Sequence, residues 1–353
     1  MRDTHTGAVP LLIDCDTGID DSLALLYACA SPEADVRAVT CVAGNVDADQ
    51  VGINTRAVLE LAGRRDIEVA IGRTVPLMRQ LVTTPETHGP RGLGDASLPP
   101  PTSALSERHA ADLIIAAATH RPGELTLVTL GPMTTLAMAV LREPMLPRLL
   151  KRLVLMGGAY GAPGNTTPVG EWNVAVDPEA MAVVLRSWSP DGPVDWAGRP
   201  PTRPLALGLD VTEQARFLPE QLARLAERAG CRVDGSPLDG HGTTNPVIQF
   251  VADALAFYFR FHERFDGFTG AFIHDPLALA AALDPNLVRA RPVTVDVELG
   301  GALTLGQTVA DWRGHWSRPP NLDVAVAADV ATFLDRFIER VGRLAAEHPD
   351  VAR

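Results

Sequence analysis

The stretch Leu11-Leu12-Ile13-Asp14-Cys15-Asp16-Thr17-Gly18-Ile19-Asp20-Asp21 constrains this chain more than any other. Its apolar start predicts a buried strand, and Ser22 to Ala28 predicts a helix packed on the same sheet. Four carboxylates therefore fall within eight residues, at the strand end and in the first helical turn. Unpaired, they would repel one another strongly. A divalent cation is the simplest neutraliser, and oxygen-only ligands favour Ca²⁺ or Mg²⁺ over zinc. Helix capping or the helix dipole could account for Asp20 or Asp21, but not for Asp14 and Asp16 on the strand itself.

The rest of the chain repeats this alternation. Strands are expected at Val36–Ala43, Ile67–Ile71, Leu125–Leu130, Arg152–Met156 and Leu205–Leu209. Helices are expected at about Ala48–Ala62, Ser106–Thr119 and after Pro132 and Pro178. Strands separated by helices imply crossovers and a parallel sheet. The expected fold is thus α/β: an open, mostly parallel Rossmann-like sheet flanked by helices. Additional C-terminal helices are expected at Pro219–Ala229, Pro246–Phe265, Asp275–Ala282 and Ala328–Glu347, with short strands near Val293–Val297 and Leu305–Val309. One domain over residues 1–353 is expected, with Ser189–Pro204 as a Pro- and Gly-rich surface insertion. Thr74–Pro101, carrying His88, is a long loop of the kind that is usually functional.

Charge and composition exclude several classes. A formal net charge of −12 on 353 residues argues against binding nucleic acid through a broad basic surface. No apolar segment reaches the roughly 18 residues of a membrane span, and the polar first ten residues lack a signal-peptide core, so a cytoplasmic protein is expected. Cys15, Cys29, Cys41 and Cys231 form no metal-ligand spacing; Cys15 and Cys41 are expected in the core.

Asp14, Asp16, Asn45, Leu130 and the loop Gly157–Asn173 all follow the carboxyl ends of expected parallel strands, where open α/β sheets bind ligands. Asn45, Asn165, Glu171 and Asn173 suit sugar hydroxyls; a phosphate would call for arginine, lysine or a glycine-rich nest. His274-Asp275-Pro276 opens a late helix, where Asp275 is either an N-cap or a further carboxylate for a cation, and His274 a general acid. His88 and His241 are further candidates for that proton transfer.

These residues resemble the inosine–uridine-preferring nucleoside hydrolases from about Pro10 to Val341. Asp14 to Asp21 is similar to their DxDxGxDD motif. Val42-Ala43-Gly44-Asn45, Leu130-Gly131-Pro132-Met133-Thr134, Met156-Gly157-Gly158, Glu171-Trp172-Asn173, Leu209-Asp210-Val211-Thr212 and His274-Asp275-Pro276 follow in the family's order. The resemblance implies Ca²⁺ held by Asp16, Asp21, Asp275 and the Leu130 carbonyl, with Asp14 supporting the turn from behind. It implies Asp16 as the base that deprotonates the attacking water. Asp20, Asn45, Glu171 and Asn173 would clamp the ribose, with Asn165 nearby, and His88 and Trp172 would line the substrate pocket. His274 would protonate the leaving base. Trp172 stands where the family usually has phenylalanine, and Thr135 where it usually has asparagine, so the nucleobase preference stays open. A small-molecule ribonucleoside and a homo-oligomer, dimer or tetramer, are the expected partners.

Two other readings exist. A haloacid-dehalogenase-like phosphatase also opens with a hydrophobic-DxD motif, but needs a lysine, and the only lysine, Lys151, lies at the start of a strand. A non-catalytic Ca²⁺-dependent nucleoside- or sugar-binding protein would have no use for Asp16 as a base.

Overall fold

The structure, a computed structural model, describes residues 7–238 and 242–348. In chain order its strands are β1 (Val9–Cys15), β2 (Ala34–Cys41), β3 (Glu68–Ile71), β4 (Thr126–Thr129), β5 (Arg152–Met156), β6 (Leu205–Leu207), β7 (Arg216–Phe217), β8 (Ala271–Phe272), β9 (Val288–Val293), β10 (Val295–Val297), β11 (Thr308–Ala310) and β12 (Leu322–Ala328). The main sheet has eight strands in the order β3-β2-β1-β4-β5-β6-β12-β9. Every pairing is parallel except β12 with β9.

Side chains alternate across β1. Leu11, Ile13 and Cys15 join one core, and Leu12 joins the other. Helices Ile19–Ala30, Pro246–Phe265, His274–Leu283 and Val330–Glu347 supply the first core. Helices Ala110–His120, Thr134–Arg142 and Pro178–Trp188 supply the second. Coverage on both faces is why the central strands read as continuous apolar runs.

The order places β1 between β2 and β4, so the winding reverses at the β1–β4 junction. Asp14 pairs with Thr129 there, and Leu130 N donates to Asp14 O at 2.7 Å. A crevice outside the carboxyl ends of strands opens at such a reversal. The acidic turn after β1 and Leu130 after β4 are its two lips.

Several boundaries differ from the sequence expectation. The helix expected from Ser106 begins at Ala110, because Ser106 Oγ is engaged by Glu68 and His109 Nδ1 accepts from Ala111 N as the cap. The strand expected through Leu209 stops at Leu207, and Leu209–Thr212 is a helical turn. Residues expected as loop form the turns Pro85–His88 and Trp172–Val176. β12 is missing from the sequence expectation altogether: its Ala-rich half, Ala325 to Ala328, resembles the helix that follows. Of the Ser189–Pro204 insertion, Trp196 is buried with its Nε1 on Ser189 O at 3.2 Å, and Arg203 pairs with Asp323 at 2.8 Å. Most of the segment's residues are exposed, and Arg203 ties it to β12. No helix among the described residues is long and apolar enough to cross a membrane.

Candidate active site

Gly18 caps the helix Ile19–Ala30, and Asp21 Oδ2 reaches back to accept Gly18 N at 2.8 Å. Asp21 therefore does the capping work that charge in a first turn suggests, and it does more. Its Oδ1 accepts Asp16 N at 3.2 Å, and its Oδ2 also accepts Asn45 Nδ2 at 3.2 Å. Asp275 was expected either as a cap or as a cation ligand. It is not the cap: Ile273 holds that position, and Asp275 lies in the first turn of His274–Leu283.

Oxygens of Asp20, Asp21 and Asp275 all lie within 4.8 Å of one another, and all three residues are buried. At that spacing two like charges repel by roughly 3 kcal/mol at an effective dielectric of 20. Burial first, and then the neighbouring carboxylates, raise Asp20 and Asp275 well above the usual carboxylate range. Asp16 is raised by burial and then by Asp21. No lysine or arginine pairs with any of the four among the described residues. A buried, all-oxygen donor set without an organic counter-cation fits a hard divalent ion.

Asp16 is wedged between two glycines. A Cβ on Gly44 would stand 2.1 Å from its Oδ2, and one on Gly131 2.8 Å from its Oδ1. Asn45 N holds Oδ2 at 2.8 Å. Asp14 points elsewhere: Thr40 Oγ1 donates to its Oδ1 at 2.6 Å. Burial pushes its carboxyl up to about 7, against the lowering influence of Thr40 and Thr135. Neither Asp14 Oδ2 nor Thr135 Oγ1 completes a hydrogen bond of ordinary length.

Glu171 caps the helix Trp172–Val176. Its oxygens accept Asn173 N and Gly158 N, each at 2.8 Å, and Val174 N at 3.1 Å. A carboxylate offers about four acceptor positions, so one remains for a ligand hydroxyl. Asn173 Nδ2 donates to Leu130 O at 2.7 Å, linking this turn to the end of β4. Asn165 Oδ1 accepts Trp172 N at 3.0 Å, so it also braces its own loop. Trp172 Nε1 is buried without a partner.

These groups converge on a cavity of about 480 Å³. Its lining falls into a polar group and an aromatic group. Asp16, Asp20, Asn45, Asn165, Glu171, Trp172, Asn173, Asp275 and Leu130 belong to the first. His88, Tyr258, Phe261, His262, Phe272 and His274 belong to the second, with successive ring centroids 4.6–5.9 Å apart. His88 Nδ1 accepts Ile19 N at 3.1 Å, and burial, then His262, push the ring down to about 3. His274 Nδ1 meets Thr212 Oγ1 at 2.8 Å. Burial, followed by His262 and His88, lowers it to about 3 against the pull of Asp266. His241 lies outside the described residues.

Sequence reasoning missed Tyr258, Phe261 and His262. They recur at three- and four-residue spacing on Pro246–Phe265, a pattern that ordinarily marks a core-facing stripe. Lys151 is exposed beside the start of β5, at the opposite end of the strand from the cavity, as the argument against a phosphatase requires.

Residues 11–335 match the model of the inosine–uridine preferring nucleoside hydrolases. The chain belongs to this family. It is a nucleoside hydrolase, and the family is metal-dependent. A pyrimidine-specific ribonucleoside hydrolase, RihA, of Citrobacter koseri is 38% identical over 95% of this chain and 98% of its own. RihA of Escherichia coli is 37% identical over the same shares. Among solved structures, a purine-preferring ribonucleoside hydrolase from Gardnerella vaginalis superimposes with a TM-score of 0.84 at 30% identity, covering 96% of this chain and 99% of its own. A plant nucleoside hydrolase superimposes at 0.82 with 29% identity, covering 94% and 98%.

Proposed function

We propose that this hydrolase releases free base and ribose from ribonucleosides in a Ca²⁺-dependent reaction, with Asp16 as base and His274 as leaving-group acid. The carrying observation is the meeting of Asp16 with the Asp20–Asp21–Asp275 cluster at the β1–β4 reversal, beside Asn173 and Glu171. Asp16, Asp21, Asp275 and the Leu130 carbonyl would hold the ion. When bound, Ca²⁺ supplies Lewis-acid polarisation and cancels the repulsion among the carboxylates.

The chain's own residues then do the following. Asp20, Asn45, Glu171 and Asn173 bind the ribose hydroxyls and orient the anomeric carbon. Asp16, held by Asn45 N, takes a proton from the attacking water. His274, held through Nδ1 by Thr212, gives a proton to the departing base at its other ring nitrogen. Trp172 and His88 close the cavity around the substrate. Direct attack by water, without an enzyme nucleophile, implies inversion at the anomeric carbon by analogy with inverting glycosidases.

The pyrimidine-specific relatives support uridine and cytidine as preferred substrates. The test is ribose release from a panel of uridine, cytidine, inosine and guanosine, before and after chelation with EGTA and after return of Ca²⁺. The pyrimidine nucleosides should be hydrolysed, lose turnover on chelation and regain it with Ca²⁺. Full turnover after complete chelation would sink the metal reading, and no ribose from any nucleoside would sink the whole.

A further inference from the structure

Behind the acidic turn, outside the cavity, Asp14 and Thr135 are both fully enclosed. Asp14 and Leu12 share a face of β1, and Leu12 packs in the core that helix Thr134–Arg142 supplies. Thr135 stands in the first turn of that helix. A helical threonine can return its hydroxyl to a carbonyl one turn back, but Thr135 Oγ1 makes no such bond. Glycine at position 72 leaves the hydroxyl its space: a Cβ there would stand 2.7 Å from Thr135 Oγ1. Burial raises the Asp14 carboxyl, while Thr40 and then Thr135, through hydrogen bonding, pull it down. Thr40 serves Oδ1, which leaves Oδ2 for Thr135. A buried carboxylate oxygen without a donor is costly, so the Thr135 hydroxyl is its natural partner.

Asp14 thereby touches both ends of one turn. Its backbone oxygen accepts Leu130 N at 2.7 Å, where β4 has ended, and its carboxyl meets Thr135, where the next helix starts. The groups between them shape the site. Leu130 O accepts Asn173 Nδ2 at 2.7 Å. Gly131 sits against Asp16, since a Cβ there would stand 2.8 Å from its Oδ1. Pro132 Cδ would lie 2.9 Å from a Cβ on Gly44, the glycine on the other side of Asp16. A small slip of this turn would redirect the Leu130 carbonyl and change the gap that holds Asp16. The adjacent hydroxyl is engaged elsewhere: Thr134 Oγ1 donates to Asp177 Oδ2 at 2.6 Å.

We propose that Thr135 is a positioning residue of this hydrolase: its hydroxyl, acting on Asp14, fixes the turn 130–135 and through it the Leu130 carbonyl and Asp16. The proposal rests on the reading of Leu130 and Asp16 as ion ligands and of Asp16 as the base. It adds to them a residue that the substrate never touches.

The test compares three variants of the full-length protein. Thr135→Val keeps the shape and removes the hydroxyl, Thr135→Ser keeps the hydroxyl, and Thr134→Val disturbs the same helix start through Asp177. Calorimetric titration with Ca²⁺ and steady-state hydrolysis of uridine are the readouts. Groups that orient metal ligands from behind typically cost about 10–100-fold in metal affinity or activity when removed. Thr135→Val should therefore weaken Ca²⁺ binding about 10-fold and lower kcat at saturating Ca²⁺ about 10-fold. KM for uridine should stay within about 3-fold, because Asp20, Asn45, Glu171 and Asn173 are untouched. Thr135→Ser should return Ca²⁺ affinity and kcat to within about 3-fold of wild type. Thr134→Val should lower the melting temperature and leave both unchanged. Ca²⁺ affinity and kcat of Thr135→Val within about 2-fold of wild type would overturn the proposal while the ion and the base stand. Equal losses in Thr134→Val would overturn it too, by assigning the effect to the helix start as a whole. If the wild type takes up no Ca²⁺ or releases no ribose, the broader reading fails and this proposal falls with it.

Discussion

Gly44→Ala tests whether Asp16, the proposed base, is positioned by the absence of a side chain. The added Cβ would lie 2.1 Å from Asp16 Oδ2 and 2.9 Å from Pro132 Cδ, whereas real Cβ contacts stay beyond 3.0 Å. Asp16 must therefore retreat by about 0.9 Å, the difference between 3.0 and 2.1 Å. That movement strains the 2.8 Å bond from Asn45 N, which belongs to the same turn as Gly44. Gly44 is not among the glycines with positive φ, so alanine meets no backbone penalty and the effect traces to the contact. A displacement of about 1 Å at a reacting group costs on the order of 10²-fold in rate, or about 2.7 kcal/mol in the barrier. Saturating kcat for uridine at fixed Ca²⁺ should fall by that factor. A thermal melt separates this loss from unfolding, and calorimetric titration with Ca²⁺ separates it from loss of the ion. Turnover within about 3-fold of wild type would refute the claim that this gap fixes Asp16.

Three further outcomes are expected. Asp16→Asn should keep nucleoside binding while kcat drops by about 10²–10⁴-fold; near-normal kcat would rule out the base role. His274→Ala should slow uridine hydrolysis by about 10²–10⁴-fold yet spare p-nitrophenyl riboside, whose leaving group needs no proton; equal losses would assign His274 to positioning Asp275 or the ribose. Glu60 tests acid stability away from the site: burial works against its charge, but Ser103 and Thr102, through backbone N–H and hydroxyl groups, hold its carboxyl down at about 2 against an ordinary 4.5. A depressed carboxylate stabilises fully above its unfolded value and loses that contribution as pH falls toward its folded one. Chemical denaturation of Glu60→Gln should thus show a deficit at pH 7 that shrinks between about pH 4.5 and 2; a constant deficit across that window would contradict the assigned hydrogen bonds.

The acidic turn is legible in the chain because both of its requirements are local. An apolar run must end and a helix must begin, and Leu11 to Asp21 encodes both within eleven residues. Asn45, Leu130, the Glu171 turn and His274-Asp275 are legible for a related reason: each follows a strand or opens a helix whose periodicity is strong. Parallel order then forces the strand ends to one side of the sheet. What no local pattern contains is the reversal at β1–β4, which alone brings Asp16 against Gly131 and Leu130. Strand β12 depends on the same kind of information, since an Ala-rich segment becomes a strand only when β6 and β9 offer it two edges. Tyr258, Phe261 and His262 could not be told from a core stripe, because helical spacing says which residues share a face and not what that face meets. Asp275 likewise has a sequence suited to a helix cap. Only packing of its helix against Ile19–Ala30 turns it toward Asp20 and Asp21, where like charges held within 4.8 Å define a place for a cation.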